Sequence, residues 1–432
     1  MRKSILFKLI AIILAALVSH NVIGKVDQNP SAPSLEVLRN PKNASEYYDR
    51  GSAYYEYRCY EDALIDFTKA IELNPSHAMA FYKRGLTYAR LGLNKLAIAD
   101  FDTSIKLNPN YEKAYNNRGN AHSRQGNKEQ TIADYNQAIK LDPKYVMAYN
   151  SRGFYYHEQG DFDRAFADYN QALKLDPKYE LTYINRGNAY KDKNDFDRAI
   201  SDFNQALKLN PTDVTAYINR GKSYQKKGNY DLAIADFDQW VKMYPTLANA
   251  YTHRARSYLL KRDYDRAMLD FNMAIQLDPK DNYNFINRGF IYSQKQDYKH
   301  AIDDFNEAEK LSTKKYINAD FYLKRGFAYY KTGNSKSAMS DYNKALELDP
   351  SFALAYNNRG LIYFESGNDS LAMADYLQAL RFNPNLDLAY INRGYLYLKK
   401  GESSRARADF TRALQIDPDN ALAKSGLRSL EQ

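Results

Sequence analysis

Apolar and small residues recur at helical spacing along the chain from about residue 44 onward. In the segment YINRGNAY (183–190), two tyrosines, an arginine and a glycine fall at i, i+3, i+4 and i+7, which form one face of an amphipathic helix. A second helical stretch follows after a turn such as QGD or KGN and ends at Asn-Pro or Asp-Pro. Proline ends this helix because the residue before it is displaced from the α-helical region. The pattern therefore predicts an all-α chain of helix–turn–helix units.

An arginine occupies the centre of each predicted buried face, with a spacing of 34 residues in all but one interval. Glycine follows it except at Ala255, alanine recurs thirteen positions later except at Thr131, and an aromatic residue recurs seventeen positions later. Neither helix of a unit can bury its apolar face alone, so successive units must stack. The arginines are Arg50, Arg84, Arg118, Arg152, Arg186, Arg220, Arg254, Arg288, Arg325, Arg359 and Arg393.

Together these recurring positions resemble the tetratricopeptide repeat, a 34-residue helix–turn–helix unit. The resemblance covers residues 44 to about 420, with Tyr or Phe where the family often has Trp. It implies a right-handed α-α superhelical solenoid of about eleven units, followed by a capping helix in residues 421–432. The expected units are 44–77, 78–111, 112–145, 146–179, 180–213, 214–247, 248–281, 282–318, 319–352, 353–386 and 387–420.

The arginine within each buried face requires a partner, because an unpaired buried guanidinium is costly. An aspartate follows every arginine by sixteen residues and falls on the second helix of the same unit. We therefore predict charge-assisted bonds with a structural role and no catalytic one. Family members often have Leu and Tyr at these two positions, which implies that the pair is one of several packing solutions. Among the predicted pairs are Arg186–Asp202, Arg220–Asp236 and Arg288–Asp304.

The repeat pattern is broken where the sixth and seventh units meet. Trp240, the only tryptophan, occupies a position that is Ala or Ser in every other unit, and Ala255 replaces the usual glycine shortly afterwards. These changes predict a wider local junction, formed either by repacking or as a ligand pocket. A three-residue insertion in STKKYINADFYLKRG, before Phe321, predicts a longer loop at the end of the eighth unit.

The first 24 residues differ in kind from the repeats. Basic residues precede an unbroken apolar run from Leu9 to Val18, which suits the core of a signal peptide and is short for a membrane span. An uncleaved amino-terminal anchor is the alternative. Residues 25–43 contain three prolines and predict a flexible linker. We therefore expect a chain that is exported, and periplasmic or secreted if bacterial, or else tethered to a membrane.

Composition narrows the classes of chemistry that the chain supports. Cys59 is the only cysteine, so one chain cannot form a disulfide framework or a cysteine-rich metal site. The six histidines have no metal-binding spacing, and the sequence lacks a phosphate-binding glycine loop and a nucleophile elbow. A net charge of +9 over 432 residues is weak evidence for nucleic-acid binding. We expect no enzyme, no cofactor, no metal site and no nucleic-acid partner.

The resemblance implies that first helices line the concave side of the superhelix and expose positions one and two before the arginine and two and five after it. In six units an asparagine directly precedes the arginine. An amide both donates and accepts hydrogen bonds, so a row of amides can bind the backbone of an extended peptide. The alternative is that asparagine merely suits a solvated helix face. The six are Asn117, Asn185, Asn219, Asn287, Asn358 and Asn392.

The same face changes character along the chain, from basic in its middle to apolar near the carboxyl end. Extended apolar runs on a surface commonly mark interaction sites, although some of these residues are expected to pack between units. The basic residues are Lys191, Lys222, Lys226 and Arg256, accompanied by Gln225. The apolar residues are Ile286, Phe290, Leu323, Phe327, Tyr330, Leu361, Phe364, Ile391, Tyr395 and Leu398.

These observations predict a non-enzymatic scaffold or adaptor that binds protein partners or extended peptides in its concave groove. A self-assembling structural component of the cell envelope is the alternative. A helical-repeat nucleic-acid binder is a third hypothesis, which the export signal and the modest charge disfavour. The sequence leaves the partner, the pathway and the oligomeric state open.

Overall fold

The computed structural model of the chain describes residues 40–311 and 316–431. The predicted signal peptide or anchor (1–24), the linker up to residue 39 and four residues of the predicted insertion (312–315) lie outside the described residues. Within the described ranges, 23 helices account for all the regular secondary structure, and no strand is present. None of these helices is both long enough and apolar enough to cross a bilayer. The predicted all-α architecture is confirmed.

The odd-numbered helices α1 to α21 are the first helices of eleven repeats, and each has 13 residues. They begin where a β-branched, small or acidic residue follows the loop after the proline, and several begin with a side-chain cap, such as Asp213 on the backbone N–H of Ala216. Their bounds are α1 Ala44–Glu56, α3 Ala78–Arg90, α5 Glu112–Arg124, α7 Val146–Glu158, α9 Glu180–Asp192, α11 Val214–Lys226, α13 Ala248–Leu260, α15 Asn282–Gln294, α17 Ala319–Lys331, α19 Ala353–Glu365 and α21 Asp387–Lys399.

The even-numbered helices α2 to α22 are the second helices of the same repeats, and a short helix α23 follows the last repeat. Most second helices end at an extended residue that precedes a proline, as Asp176 does before Pro177. Their bounds are α2 Tyr60–Leu73, α4 Asn94–Leu107, α6 Lys128–Leu141, α8 Phe162–Leu175, α10 Phe196–Leu209, α12 Tyr230–Met243, α14 Tyr264–Leu277, α16 Tyr298–Lys310, α18 Ser335–Leu348, α20 Asp369–Phe382, α22 Ser403–Ile416 and α23 Ala421–Arg428.

The turn between the two helices of a repeat passes through the left-handed region of backbone conformation. Gly160 adopts φ +77° there, and Asn194 takes the equivalent place in the next repeat with φ +61°. Glycine carries no penalty in this region and asparagine tolerates it, which is why these residues end the first helix. The turn reverses the chain so that the second helix packs against the first.

The interior of each repeat is closed by the aromatic residue seventeen positions after the arginine. The glycine next to the arginine makes this packing possible, because a Cβ at Gly187 would lie 2.8 Å from the ring of Phe203. Fully buried alanines line the rest of the contact, so the helix axes approach closely. The buried aromatic residues are Phe67, Phe101, Tyr135, Tyr169, Phe203, Phe237, Phe271, Phe305, Tyr342, Tyr376 and Phe410.

The chain divides into two compact units, residues 1–185 and 186–432. In the first unit, each second helix packs on both its own first helix and the first helix of the next repeat. In the second unit the same stacking continues to the end of the chain, where α23 covers the last repeat and Ala423 packs against Phe410. The stacked helix pairs are the scaffold that positions the side chains described below.

Candidate functional site

The arginine of every repeat lies against the aspartate sixteen residues later. In the fifth repeat, Arg186 Nε donates to Asp202 Oδ2 at 2.8 Å and Arg186 Nη2 donates to Asp202 Oδ1 at 2.7 Å. This two-point geometry is the strong form of the interaction, and it joins the first helix to the second. The other pairs are Arg50–Asp66, Arg84–Asp100, Arg118–Asp134, Arg152–Asp168, Arg220–Asp236, Arg254–Asp270, Arg288–Asp304, Arg325–Asp341, Arg359–Asp375 and Arg393–Asp409.

The remaining guanidinium nitrogen links neighbouring repeats, a bond that the spacing of arginine and aspartate alone does not predict. Arg220 Nη1 donates to Asn204 Oδ1 at 2.7 Å, and Arg288 Nη1 donates to Asn272 Oδ1 at 2.8 Å. The acceptor lies on the second helix of the preceding repeat, sixteen residues before the arginine. A polar residue recurs at that position in most repeats, and this recurrence is the signal that could have revealed the bond. Each such arginine therefore holds three helices together.

Burial and pairing act in opposite directions on the carboxylates of these pairs. Burial raises the pKa of Asp202, and the hydrogen bonds from Arg186 oppose that shift. On the other side of the pair, the hydrogen bond to Asp304 raises the pKa of Arg288. The carboxylate therefore stays charged because its arginine is present, and both members are committed to the interior.

The six asparagines that precede the arginines are partly exposed, and all of them already form side-chain hydrogen bonds within the chain. Asn117 donates to the hydroxyl of Tyr82 and to the backbone carbonyl of Lys113. Their amides are therefore only partly available to a peptide backbone. The corresponding bonds of the other five join Asn185 to Asn150, Asn219 to Thr215 and Lys191, Asn287 to Tyr283, Asn358 to Asn357, and Asn392 to Asn357.

The position two residues before the arginine is buried in most repeats, contrary to the expectation that it faces the groove. Ile391 is 1% exposed, so it belongs to the core and offers nothing to a partner. Asn150 is also buried, and its Oδ1 accepts hydrogen bonds from Thr182 Oγ1 at 3.0 Å and Asn185 Nδ2 at 3.1 Å. Successive first helices approach so closely that this position packs between them.

Near the carboxyl end, four first helices present large apolar side chains at the same position, two residues after the arginine. We call Phe290, Phe327, Leu361 and Tyr395 the apolar row. All four are partly exposed, and Phe327 has the largest exposed fraction, 37%. The hydroxyl of Tyr395 donates to the backbone carbonyl of Leu422, which ties this end of the row to the capping helix α23.

Lysines beside the apolar row are occupied by rings and carboxylates. Lys324 Nζ lies 5.2 Å from the ring centroid of Phe290, within range of a cation–π contact. Lys399 Nζ lies 5.1 Å from the ring centroid of Phe364 and also donates to Asp369 at 2.7 Å. The cations at this end of the chain are therefore compensated within the protein.

A cavity of about 630 Å³ opens between the first helices α9, α11 and α13, and we call it the basic cleft. The four basic residues predicted from the sequence all line it, together with Gln225, His253 and one carboxylate, Asp192. Phe196 and Leu260 give it apolar edges. The structure thus brings together in one cavity residues that lie up to 65 positions apart, from Lys191 to Arg256.

Burial affects the titration of the groups in the basic cleft. It lowers the pKa of Lys191, and it lowers the pKa of Lys222 with a further contribution from the charge of Lys191. The pKa of His253 falls to about 4, first because of burial and then because Lys222 and Arg256 lie near. His253 is therefore neutral at pH 7, and the lysines and Arg256 supply the positive charge.

Trp240 fills the space behind the basic cleft. It is 6% exposed, and its ring centroid lies 5.6 Å from that of His253 and 6.3 Å from that of Phe237. The large indole in a position that is elsewhere Ala or Ser is thus accommodated by repacking around the imidazole. Gln225 Nε2 donates to the backbone carbonyl of His253 at 3.1 Å and to Ser257 Oγ at 2.7 Å, which fixes α11 against α13.

Within residues 40–311 and 316–431, no group of three or more His, Cys, Asp or Glu side chains is arranged to hold a metal ion.

Models of the tetratricopeptide repeat family match the chain from residue 44 to residue 420 with short gaps. No match was found among curated proteins. The matches to models described as TPR repeat or tetratricopeptide repeat cover residues 44–77, 79–111, 112–145, 134–167, 155–194, 187–228, 220–282, 284–315, 328–367, 360–401 and 388–420.

Several solved structures resemble the chain at low sequence identity. The Cut9–Hcn1 structure of the anaphase-promoting complex is 14% identical, with 92% of each chain covered and a TM-score of 0.49. A tetratricopeptide repeat protein from Parabacteroides merdae is 21% identical, covering 59% of this chain and 99% of its own, with a TM-score of 0.47. YrrB, described as a TPR protein with an unusual peptide-binding site, is 23% identical, covering 44% and 97%, with a TM-score of 0.38.

Proposed function

Because the chain belongs to the tetratricopeptide repeat family, we propose that it is a non-enzymatic scaffold that binds an extended segment of a protein partner. The binding surface is the solvent-facing side of first helices in the second unit, which carries both the basic cleft and the apolar row. Repeated helices of this kind offer the same position again and again along one surface, so a partner can be bound by many small contacts.

The observation that carries this proposal is the apolar row. Four partly exposed apolar side chains occupy equivalent positions on successive first helices, and soluble surfaces rarely expose such a run without a use. Packed helices lie about 10 Å apart, which corresponds to roughly three residues of an extended peptide. A peptide with an apolar side chain at every third position therefore matches the spacing of the row.

Preorganisation makes modest contacts sufficient. The guanidinium bonds and the buried aromatic residues fix the helices before a partner arrives, so the scaffold loses little conformational freedom on binding. Most of the entropic cost is then carried by the peptide. The side chains of the row are already half-buried, which further limits the rotamer freedom that binding removes.

Export or membrane tethering is part of the proposal, and it is supported by the sequence of the first 24 residues. Amino-terminal sequencing of the protein recovered from its native compartment tests it. A mature chain that begins near Lys25 is expected for an exported protein, and an intact amino terminus in a membrane fraction for an anchored one. An intact chain that stays in the cytoplasm contradicts both.

A library of random extended peptides, selected on the purified chain, tests the binding role. We expect the selected peptides to lose about tenfold or more in affinity for Phe327→Ser, because the row then loses its most exposed ring. The matched control is Leu269→Ser, which removes an apolar side chain that is 68% exposed on the second helix α14. Peptides that bind both variants equally well, or a selection that enriches no peptide, contradict the proposal.

A further inference from the structure

The charges of the basic cleft are not balanced within the protein. Four cations line it against a single carboxylate, Asp192, which lies beside Lys191. In the part of the chain that the structure describes, Lys222, Lys226 and Arg256 have no carboxylate partner. Uncompensated positive charge in a partly buried cavity is unfavourable, because burial removes the water that solvates it.

The imbalance is local to the cleft, since cations elsewhere on the same repeats are paired. Arg254 on α13 is held by Asp270 and Asp238, and Lys261, just after α13, pairs with Asp231. Lys227, which directly follows Lys226, pairs with Asp197. The chain therefore supplies carboxylates to neighbouring cations and withholds them from those inside the cleft.

The cations of the cleft are also held in place by neutral groups. Lys191 Nζ donates to Asn188 Oδ1 at 3.1 Å and to Asn219 Oδ1 at 2.9 Å, so an amide from the next repeat fixes the ammonium without neutralising it. Asn219 is itself fixed by its bond to the carbonyl of Thr215 at 3.0 Å. A charge that is positioned and still uncompensated is preorganised for an anion.

The arrangement of these cations indicates the size of the ligand. They lie on three successive first helices, so their span is on the order of 20 Å if helices pack about 10 Å apart. An extended peptide covers that distance with about six residues. A single small anion reaches only part of the set, whereas a run of acidic side chains meets all of it. The apolar edges at Phe196 and Leu260 suit the aliphatic parts of peptide side chains.

We propose that the basic cleft binds an internal acidic segment of the protein partner, in which carboxylate side chains lie across α9, α11 and α13. This inference rests on the proposed function and names the chemistry of part of the ligand. The segment supplies the carboxylates that the cleft lacks, and Lys191, Lys222, Lys226 and Arg256 receive them. The half-buried position strengthens each contact relative to one in open water.

The test uses the full chain and a decapeptide with six glutamates, acetylated and amidated so that its termini carry no charge. We expect measurable binding in 50 mM salt, a steep loss of affinity at 200 mM salt, and about tenfold or more weaker binding of the glutamine version. The double variant Lys222→Gln with Arg256→Gln should lose about tenfold in affinity for the acidic peptide.

The matched control is Lys208→Gln with Lys242→Gln, which removes the same charge from exposed positions on the second helices α10 and α12. Full affinity in this control, with loss in the cleft variant, supports the inference. Equal affinity of the two variants overturns it, and so does tighter binding of a single-stranded oligonucleotide of the same charge than of the peptide. Circular dichroism of both variants checks that the helices are intact.

Failure of this inference is distinguishable from failure of the proposed function. If peptides that depend on Phe327 are selected but the glutamate peptide does not bind in the cleft, only the acidic ligand is excluded. If neither kind of peptide binds, the scaffold role itself is contradicted. Binding of the glutamate peptide that persists in Phe327→Ser, and is lost in the cleft variant, shows that the cleft acts as its own site.

Discussion

Helices α9, α11 and α13 carry cations on two sides, and only one side is compensated within the chain. Toward the second helices, Arg186, Arg220 and Arg254 each form two-point bonds with an aspartate. Toward the cleft, Lys222 and Arg256 follow the paired arginine of their helix by two positions and have no carboxylate among the described residues. The same helix thus contains a structural charge and a charge that is open to a ligand.

The difference between the interior pairs and the basic cleft follows from access to water. An interior guanidinium without a partner costs several kcal/mol, about 3–5 in measured cases, so the chain must supply a carboxylate there. In the cleft, water still reaches the ammonium groups and the cost is smaller, although the lowered pKa of Lys191 and of Lys222 shows that it is not zero. Whether a charge serves the fold or a partner is therefore seen in where its counter-charge comes from.

The largest effect is expected from breaking an interior pair. Asp202→Ala should destabilise the fifth repeat by about 3–5 kcal/mol, because it leaves Arg186 buried without its partner. The double change Arg186→Leu with Asp202→Tyr should be tolerated, because it removes both charges together. Hydrogen exchange in α9 and α10 measures the effect locally, which suits an array whose repeats open in segments.

A cation of the cleft provides the comparison for that experiment. Lys222→Gln lies one repeat away and removes a charge with no counter-charge, so protection of α9 and α10 should not fall. Equal loss of protection in Asp202→Ala and in the double variant would contradict the structural importance of the pair. Equal loss in Asp202→Ala and Lys222→Gln would remove the distinction between the two sides of these helices.

Much of the fold follows from the sequence because the same information is repeated eleven times. A helix start, a left-handed turn and a proline stop recur at fixed spacing, so each repeat corroborates the others, and the predicted family and all-α architecture are confirmed. The arginine and aspartate can be matched for a similar reason. Their separation of sixteen residues is constant, and a buried charge requires a partner.

The features that the sequence does not predict depend on the approach of successive first helices, which no single repeat specifies. The prediction that Ile391 faces the groove is wrong, since the position two before the arginine packs between neighbouring first helices. For the same reason the amide oxygen of Asn219, predicted to meet a peptide, holds Lys191 from the preceding repeat. The basic character of the region is evident in the sequence. Its closure into a cavity beside Trp240 is not.

A smaller effect is expected when the interior pair is broken from the other side and the pH is lowered. In Arg186→Leu, Asp202 loses the bonds that oppose the raising of its pKa by burial, so that pKa should rise further above its unfolded value. A raised carboxyl pKa favours the protonated form in the folded state. The deficit of stability relative to wild type is therefore full above the folded pKa and shrinks as pH falls through it, by about 1.4 kcal/mol for each pH unit until the unfolded pKa is reached.

Urea unfolding of Arg186→Leu and Asp202→Ala, each compared with wild type at pH 7 and pH 4.5, measures this difference. The deficit of Asp202→Ala should not shrink, because the guanidinium of Arg186 remains protonated throughout that range. Deficits that change in parallel for the two variants would mean that the carboxylate of Asp202 does not respond to the loss of its partner.

The smallest effect is expected in the basic cleft without a ligand. Lys222→Gln should stabilise the chain by no more than about 1 kcal/mol, because water screens a half-exposed ammonium even where Lys191 repels it. The folded pKa of Lys222 is lowered, so this gain is present below that pKa and disappears as pH rises through it toward the unfolded value. Urea midpoints at pH 7 and pH 10, with Lys242→Gln as the exposed control, measure it. A loss of stability in Lys222→Gln would mean that Lys222 serves the fold, as the interior arginines do, and the contrast between the two sides of α11 would no longer hold.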